Sequence, residues 1–224
     1  PWIVAGALPA ARAEDVRKVA ARLGAPALAG VLEKSDAVAI KVVASAGKPA
    51  QLRVTSAAAT LPDAAWTFLL ARALEDARAG LSGLRRLGPS ERMQALAGAQ
   101  AALLGETPDG DRARAAARLV NDAMAALPPG DARARLVADL RQVLSSAPDW
   151  DGFARAAAHT ANRVGLLACG DASAALSMLA REDAALAKGN DADARRAFLR
   201  TPAARELVRF MLSPAYVAIV GRPR

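Results

Sequence analysis

Residues 61–80 read LPDAAWTFLLARALEDARAG, and the predicted fold is built around this stretch. Pro62 and Asp63 are typical of the first turn of a helix, and Gly80 is a typical stop. Between them the apolar residues recur every three or four positions, which makes one stripe along the helix. The stripe consists of Trp66, Leu69, Leu70, Ala73, Leu74 and Ala77. The sequence therefore predicts a helix that buries one face.

A second helix is predicted over residues 149–169, and it carries a similar stripe. Phe153, Ala157, Ala161 and Val164 follow one another at intervals of three or four residues. The alanines are small enough to let two helices approach closely. We expect the two helices to share one core that contains Trp66, Leu69, Leu70, Phe153, Val164 and Leu167.

The two stretches resemble the active-site helix and the second metal-ligand helix of zinc metallopeptidases of the prenyl-protease and HtpX type. Residues 72–76 (RALED) stand where that family has H-E-x-x-H, and residues 158–162 (AHTAN) stand where it has E-x-x-A-D. Zinc in such a site is held by two imidazoles and a carboxylate, and a glutamate activates the bound water. The resemblance thus implies degenerate ligand positions at Arg72, Asp76 and Ala158. It places Ala73 where the glutamate base would be.

With these residues the two helices lack the groups that bind zinc and activate its water. Arginine is a permanent cation that repels zinc, and alanine has no donor atom. We therefore expect a protein that is not an enzyme and that has no metal or other cofactor. Arg72 and Asp76 have the spacing of a helical ion contact worth about 0.2–0.5 kcal/mol. One alternative stays open, a residual metal-dependent hydrolase in which His159 joins Asp76 and Glu75 as ligands.

The phrase TANRVGLLACGD at residues 160–171 also resembles the non-peptidase tail domains of large bacterial tetratricopeptide-type proteins. That resemblance implies a pseudo-peptidase domain with a scaffold role. Its partner would be another protein or a second copy of the chain. Asn162, Arg163 and Asp171 are interpreted as structural polar residues of this region.

The C-terminal run from Phe210 to Val220 is a candidate interface. It contains more large apolar residues than a free terminus needs. The run either closes the core or presents an apolar patch to a partner. The residues proposed for an interface are Phe210, Met211, Tyr216 and Ile219.

The formal net charge of +8 raises a second alternative, an arginine-rich nucleic-acid-binding helical domain. The arginines that would form a basic face on two consecutive predicted helices are Arg112, Arg114, Arg118, Arg133, Arg135 and Arg141. This region has neither interleaved aromatic residues nor glycine-rich loops. We therefore expect solvated helix faces and no nucleic-acid partner.

The rest of the chain is predicted to be one helix, one hairpin and then helices only. Apolar residues at helical spacing predict a helix over 11–23. The β-branched segments 38–43 and 51–55 predict one short antiparallel hairpin around a turn at 45–49. Similar phrases at three later positions are interpreted as helix starts capped by an aspartate. These aspartates are Asp111, Asp131 and Asp191. The helix that precedes Asp191 is predicted over 171–187 and is ended by Gly189 and Asn190.

The expected fold class is α+β, mainly α, with one short β-hairpin and a degenerate metallopeptidase-like core. We expect residues 1–224 to form a single domain, with the N-terminal helix and hairpin in 1–60 and the helical part in 61–224. The chain begins without methionine, which suggests a fragment of a longer protein. Cys169 is the only cysteine, and no stretch reaches the roughly 18 apolar residues of a membrane span. We therefore expect a cytoplasmic protein without a membrane partner.

Overall fold

The computed structural model describes residues 4–26, 28–45, 48–85, 87–146, 148–183, 186 and 192–221. Some predicted features lie outside the described residues, namely Ala46 and Gly47 of the turn, the break at Gly189 and Asn190, and the helix start at Asp191. The described residues are mainly helical with a small sheet, so the predicted α+β, mainly α fold class is confirmed.

The first part of the chain forms a four-stranded sheet with one helix. Its elements are β1 (Val4–Ala7), α1 (Ala10–Leu23), β2 (Ala29–Glu33), β3 (Ile40–Ser45) and β4 (Lys48–Thr55). The strand order is β1-β2-β4-β3. β3 and β4 pair antiparallel, which confirms the hairpin, while β2 is parallel to β4 and antiparallel to β1.

The sheet has two strands more than the single hairpin that the sequence predicts. β2 is short and contains Gly30, which weakens the pattern of a strand. A Cβ atom at Gly30 would lie 2.2 Å from Cδ1 of Leu8. The Leu8 side chain therefore lies over Gly30, and it would have to move if this position carried a side chain.

The described helices after the sheet are α2 (Ser56–Ala59), α3 (Asp63–Arg78), α4 (Ser82–Arg85), α5 (Pro89–Leu104), α6 (Asp111–Ala126), α7 (Asp131–Leu144), α8 (Trp150–Cys169), α9 (Ala172–Glu182), α10 (Ala192–Leu199), α11 (Pro202–Met211) and α12 (Pro214–Val220). The helices predicted around Trp66 and Val164 correspond to α3 and α8. Their predicted bounds are confirmed to within one or two residues.

Two details of the predicted helix ends are wrong. Asp111 and Asp131 are the first residues of α6 and α7, and the capping positions are glycines without a side-chain hydrogen bond. α9 ends at Glu182 rather than at Ala187. Asp183, the next residue, has an extended backbone, and its side chain accepts a hydrogen bond from the backbone N–H of Leu186 at 3.3 Å. Such a local bond competes with continuation of a helix.

The chain divides into two compact units. The first unit comprises Pro1–Ser82 and Ala156–Arg224, and the second comprises Gly83–Arg155. The expectation that residues 1–224 fold as one domain stays a prediction.

The core of the first unit is organised around α3. Trp66, Phe68, Leu70 and Leu74 are fully buried, and Leu69 is nearly so. α3 packs against α1, α9 and β3. The stripe predicted from the sequence is therefore the buried face of this helix.

α8 approaches α3 at a glycine. A Cβ atom at Gly165 would lie 2.8 Å from Cδ2 of Phe68 and 2.9 Å from its carbonyl oxygen. Val164, beside this glycine, is partly buried against the core of α3. The predicted close approach of the two helices is confirmed, and it occurs where the smallest residue permits it.

The predicted place of Phe153 in this core is wrong. Phe153 belongs to the second unit, is 43% exposed and packs edge to face on Trp150 with ring centroids 6.1 Å apart. Leu167 is half-buried. The shared core of α3 and α8 thus contains Trp66, Leu69, Leu70 and Val164 of the expected set.

The second unit is built on the packing of α5 against α6 and α7. A Cβ atom at Gly98 of α5 would lie 2.2 Å from the carbonyl oxygen of Ala113 on α6. The Gln100 side chain donates to the carbonyl of Leu144 at 3.1 Å and accepts from the indole N–H of Trp150 at 3.2 Å. A close backbone contact and one amide side chain thus join the helices of this unit.

The buried face of α3 can be tested with Leu70→Ala. Leu70 is fully buried, so the substitution should lower the free energy of unfolding by about 2–5 kcal/mol. The matched control is Leu119→Ala at a leucine that is 70% exposed, where the change should stay within about 0.5 kcal/mol. Urea unfolding followed by far-UV circular dichroism measures both. A loss below about 1 kcal/mol for Leu70→Ala would mean that α3 is placed the wrong way round.

Candidate functional site

The degenerate ligand positions on α3 are engaged in packing and ion pairing. Arg72 donates to both carboxylate oxygens of Glu182 on α9, at 2.7 and 3.0 Å, and its guanidinium carbon lies 5.3 Å from the ring centroid of Phe68. Ala73 is buried. The helical spacing predicts an ion pair of Arg72 with Asp76. The ion pair found for Arg72 is instead with Glu182 on α9.

Glu75, which lies between Ala73 and Asp76 in the sequence, also has an ion-pair partner. It is buried, and its two carboxylate oxygens accept hydrogen bonds from Arg78 at 2.7 Å each. This contact raises the pKa of the Arg78 guanidinium above its ordinary value. The carboxylate of Glu75 is therefore held by a cation one helical turn away.

His159 lies next to the degenerate position Ala158 on α8, and both residues are half-buried. Its nearest carboxylate contact is Glu206 on α11, where Nδ1 lies 3.7 Å from Oε2. Across the described residues no three His, Cys, Asp or Glu side chains are grouped so that they could hold a metal ion. The structure therefore does not assemble His159 with Asp76 and Glu75 as ligands.

Arg163, interpreted from the sequence as a structural polar residue, links α8 to α11. Its Nε donates to Oε1 of Glu206 at 2.6 Å, and its guanidinium carbon lies 5.1 Å from the ring centroid of Phe210. Phe210 packs edge to face on Tyr216 of α12, with centroids 5.5 Å apart. One arginine thus joins three helices through an ion pair and an aromatic pair.

The other two structural polar residues have different surroundings. Asp171 caps α9, because its side chain accepts from the backbone N–H of Ala174 at 2.9 Å. Only 2% of Asn162 is exposed, and its Oδ1 makes no hydrogen bond with any described residue.

Cys169 is held by local contacts. Its Sγ lies 3.5 Å from the carbonyl oxygens of Leu166 and Asp171, and burial raises the pKa of its thiol. These contacts give the thiol the character of a packed side chain and not of a nucleophile.

Arg12 of α1 supports the start of α3, and sequence reasoning missed it. It donates to the carbonyls of Ala59 and Leu61 at 3.2 and 2.6 Å and to the carboxylate of Asp63 at 2.9 Å. Its guanidinium carbon lies 4.8 Å from the ring centroid of Trp66. The available signal was its spacing, because Arg12 falls on the same helical stripe as the buried residues Val16, Val19 and Ala20.

The predicted interface residues of the C-terminal run divide into two groups. Phe210, Met211 and Tyr216 pack against the core of the first unit. Ile219 is 50% exposed. The large apolar side chains that are exposed around it are Leu212, Val217 and Val220, at 79, 63 and 56%. The run therefore closes the core with one side and leaves an apolar surface on the other.

A groove of about 320 Å³ lies beside this surface. α1 contributes Val19, Arg22 and Leu23 to its lining, α8 contributes Val164, Leu167 and Ala168, and α12 contributes Ile219 and Val220. Apart from Arg22 these lining residues are apolar. We name these eight residues the α1/α8/α12 groove.

Several arginines of the proposed basic face in the second unit have local partners. Arg112 pairs with Glu91, Arg114 pairs with Asp111 at 2.6 Å, and Arg141 donates to the carbonyl of Leu103 at 2.7 Å. These contacts use part of the positive charge within the unit. They weaken the case for a continuous phosphate-binding surface.

Comparisons of the chain with known proteins found no matching family model, no similar curated protein and no similar solved structure. None of the described helices is long and apolar enough to cross a membrane. The relationship to metallopeptidases therefore stays a prediction from the two quoted stretches.

The support that Arg12 gives to α3 can be tested with Arg12→Ala. The substitution leaves two backbone carbonyls without their donor and uncovers the Trp66 ring, so the free energy of unfolding should fall by about 2–4 kcal/mol. Arg12→Lys should lose part of this, because an ammonium group cannot reproduce the planar fork. The control is Arg17→Ala, at an exposed pair with Glu14, which should leave the free energy of unfolding nearly unchanged. Equal losses for Arg12→Ala and Arg17→Ala in urea unfolding would refute this role.

Proposed function

We propose that this chain is a non-catalytic pseudo-peptidase domain that acts as a structural or protein-protein interaction module. In this proposal it is the scaffold part of a longer bacterial tetratricopeptide-type chain in the cytoplasm. The proposal draws on the degenerate frame, in which Arg72, Ala73 and Ala158 carry no metal-ligand chemistry.

The observation that carries the proposal is the apolar surface at the end of the chain. We name Leu212, Val217, Ile219 and Val220 the α12 patch. All four side chains are at least half exposed, and α12 itself, PAYVAIV, contains no charged residue. Large apolar side chains that are exposed singly need no explanation, whereas several of them within nine residues of chain favour a site of protein association. A binding surface is therefore favoured here over a solvated helix face.

The loss of metal chemistry can be tested by elemental analysis. Protein purified with zinc in the medium and then dialysed should contain well below one zinc per chain, because the frame lacks both imidazoles, the general base and the third carboxylate. The matched variants are His159→Ala and Asp76→Ala, which should have the same zinc content as the wild-type chain. About one zinc per chain that disappears in either variant would support the residual hydrolase instead.

The interaction role can be tested by affinity purification from extracts of the producing cells. The bait is the full chain, either wild type or with Val217→Ser and Ile219→Ser together. The control bait carries Leu119→Ser, at an exposed leucine of the second unit. We expect a protein that the wild-type and control baits retain and the patch variant loses, and that binds the purified chain in calorimetry. Sedimentation velocity on the same proteins detects a second copy as the partner. Identical retention by all three baits, with no self-association, would contradict the proposal.

A further inference from the structure

We propose that the α1/α8/α12 groove binds an amphipathic helix that carries carboxylates beside its apolar face. This inference rests on the proposed interaction role and adds the chemistry of the partner segment. It follows from the spacing of the groove residues and from the charge of Arg22, which is among the described residues that line the groove.

The apolar lining has the spacing that a helix-binding groove requires. Val164 and Ala168 are four residues apart on α8 and half-buried, so α8 presents one row of side chains to the groove, and the half-buried Leu23 of α1 lies beside the buried Val19 in the lining. Val164, Leu23 and Ala168 are continuous with the core of the unit. An amphipathic helix buries its own i, i+3 or i+4 and i+7 side chains between such rows.

The charge at the groove selects an acidic partner. Arg22 is exposed and makes no ion pair with any described residue. The carboxylates of α1 itself are engaged elsewhere, since Glu14 pairs with Arg17 and Lys18, and Asp15 pairs with Arg12. The Arg17 guanidinium also holds the pKa of the Glu14 carboxyl below its ordinary value. A carboxylate of an incoming helix would therefore be the ion partner of Arg22 and would fix its direction.

The same observations disfavour the other occupants. A second copy that inserted its α12 would bring no carboxylate to Arg22, because α12 contains no charged residue. Two copies of a chain with net charge +8 also repel each other. A lipid surface suits a longer helix that lies flat, whereas α12 has seven residues and forms one wall of a concave groove.

The test is an unbiased selection of helical peptides from a displayed library against the full chain. We expect the enriched peptides to combine an apolar stripe with glutamate or aspartate beside it. Against Arg22→Glu the same library should yield lysine or arginine at those positions. Fluorescence anisotropy with one selected peptide and its lysine-substituted copy then measures the exchange of charge.

Arg22→Glu should weaken binding of the acidic peptide about tenfold and strengthen binding of the lysine copy. Arg205→Glu, an exposed arginine of α11 outside the groove, should change either affinity less than about twofold. Val220→Asp should abolish binding, while Val143→Asp, at an exposed valine of the second unit, should leave it unchanged. These four variants separate the groove from the general positive charge of the chain.

Several outcomes would overturn the inference. They are the absence of enriched helical peptides, enrichment without carboxylates, or equal binding by the Arg22→Glu and Arg205→Glu variants. Binding of the wild-type chain to phosphatidylglycerol vesicles that Val220→Asp abolishes would assign the groove to a membrane surface. Sedimentation velocity that shows Val220-dependent dimers would assign it to a second copy. If the cellular partner depends on the α12 patch but docks through a segment without carboxylates, this inference fails while the proposed function stands.

Discussion

The arrangement of the first unit depends on the guanidinium of Arg12. Its hydrogen bonds reach the carbonyls of Ala59 and Leu61, which flank the junction of α2 and α3, and its charge meets Asp63 in the first turn of α3. Trp66, one turn later, packs under the same group. Only 14% of the Arg12 side chain is exposed, so its hydrogen bonds to these carbonyls are largely shielded from water. This cluster ties α1 to the start of α3, the helix against which both α1 and α9 pack.

The polar groups around α3 and α8 pair with partners along or across the helix surfaces instead of converging on one point. Arg72 reaches Glu182 on α9, and Arg163 reaches Glu206 on α11. A metal centre needs several carboxylate or imidazole donors directed at a common position, with their charge compensated by the ion. Here each of these carboxylates is compensated by a guanidinium. Such pairs join helices, and they remove the charge that a cation would require.

Local periodicity accounts for the parts of the fold that sequence predicts well. The bounds of α1, α3 and α8 follow from apolar spacing and from the residues at their ends. β2 could not be recognised, because Gly30 interrupts its pattern and its pairing with β4 is non-local. Phe153 lies on the same stripe as Val164, but eleven residues of helix separate them by about 16 Å along the axis. An apolar stripe predicts which side of a helix faces the core. It does not predict how far along the axis a second helix packs on that side.

In the candidate site, too, contacts between residues close in sequence could be predicted and contacts between distant residues could not. The partner of Arg72 is 110 positions away, so the helical spacing to Asp76 was the only contact that sequence could suggest. Arg12 was overlooked because arginine is normally assigned to the solvated face, although its place on the α1 stripe put it next to the core.

The C-terminal run shows why one segment serves two roles. The sequence PAYVAIV has apolar side chains on every side, so a seven-residue helix that packs on a surface must leave some of them in water. Tyr216 packs on Phe210, and Val217 and Ile219 are then turned outward. Core closure and an apolar surface are therefore not alternatives for this helix, because its composition makes the second a consequence of the first. A polar substitution on the outer side would relieve the exposure without disturbing Tyr216, and the chain carries none there. The proposed binding role rests on this apolar outer side of α12.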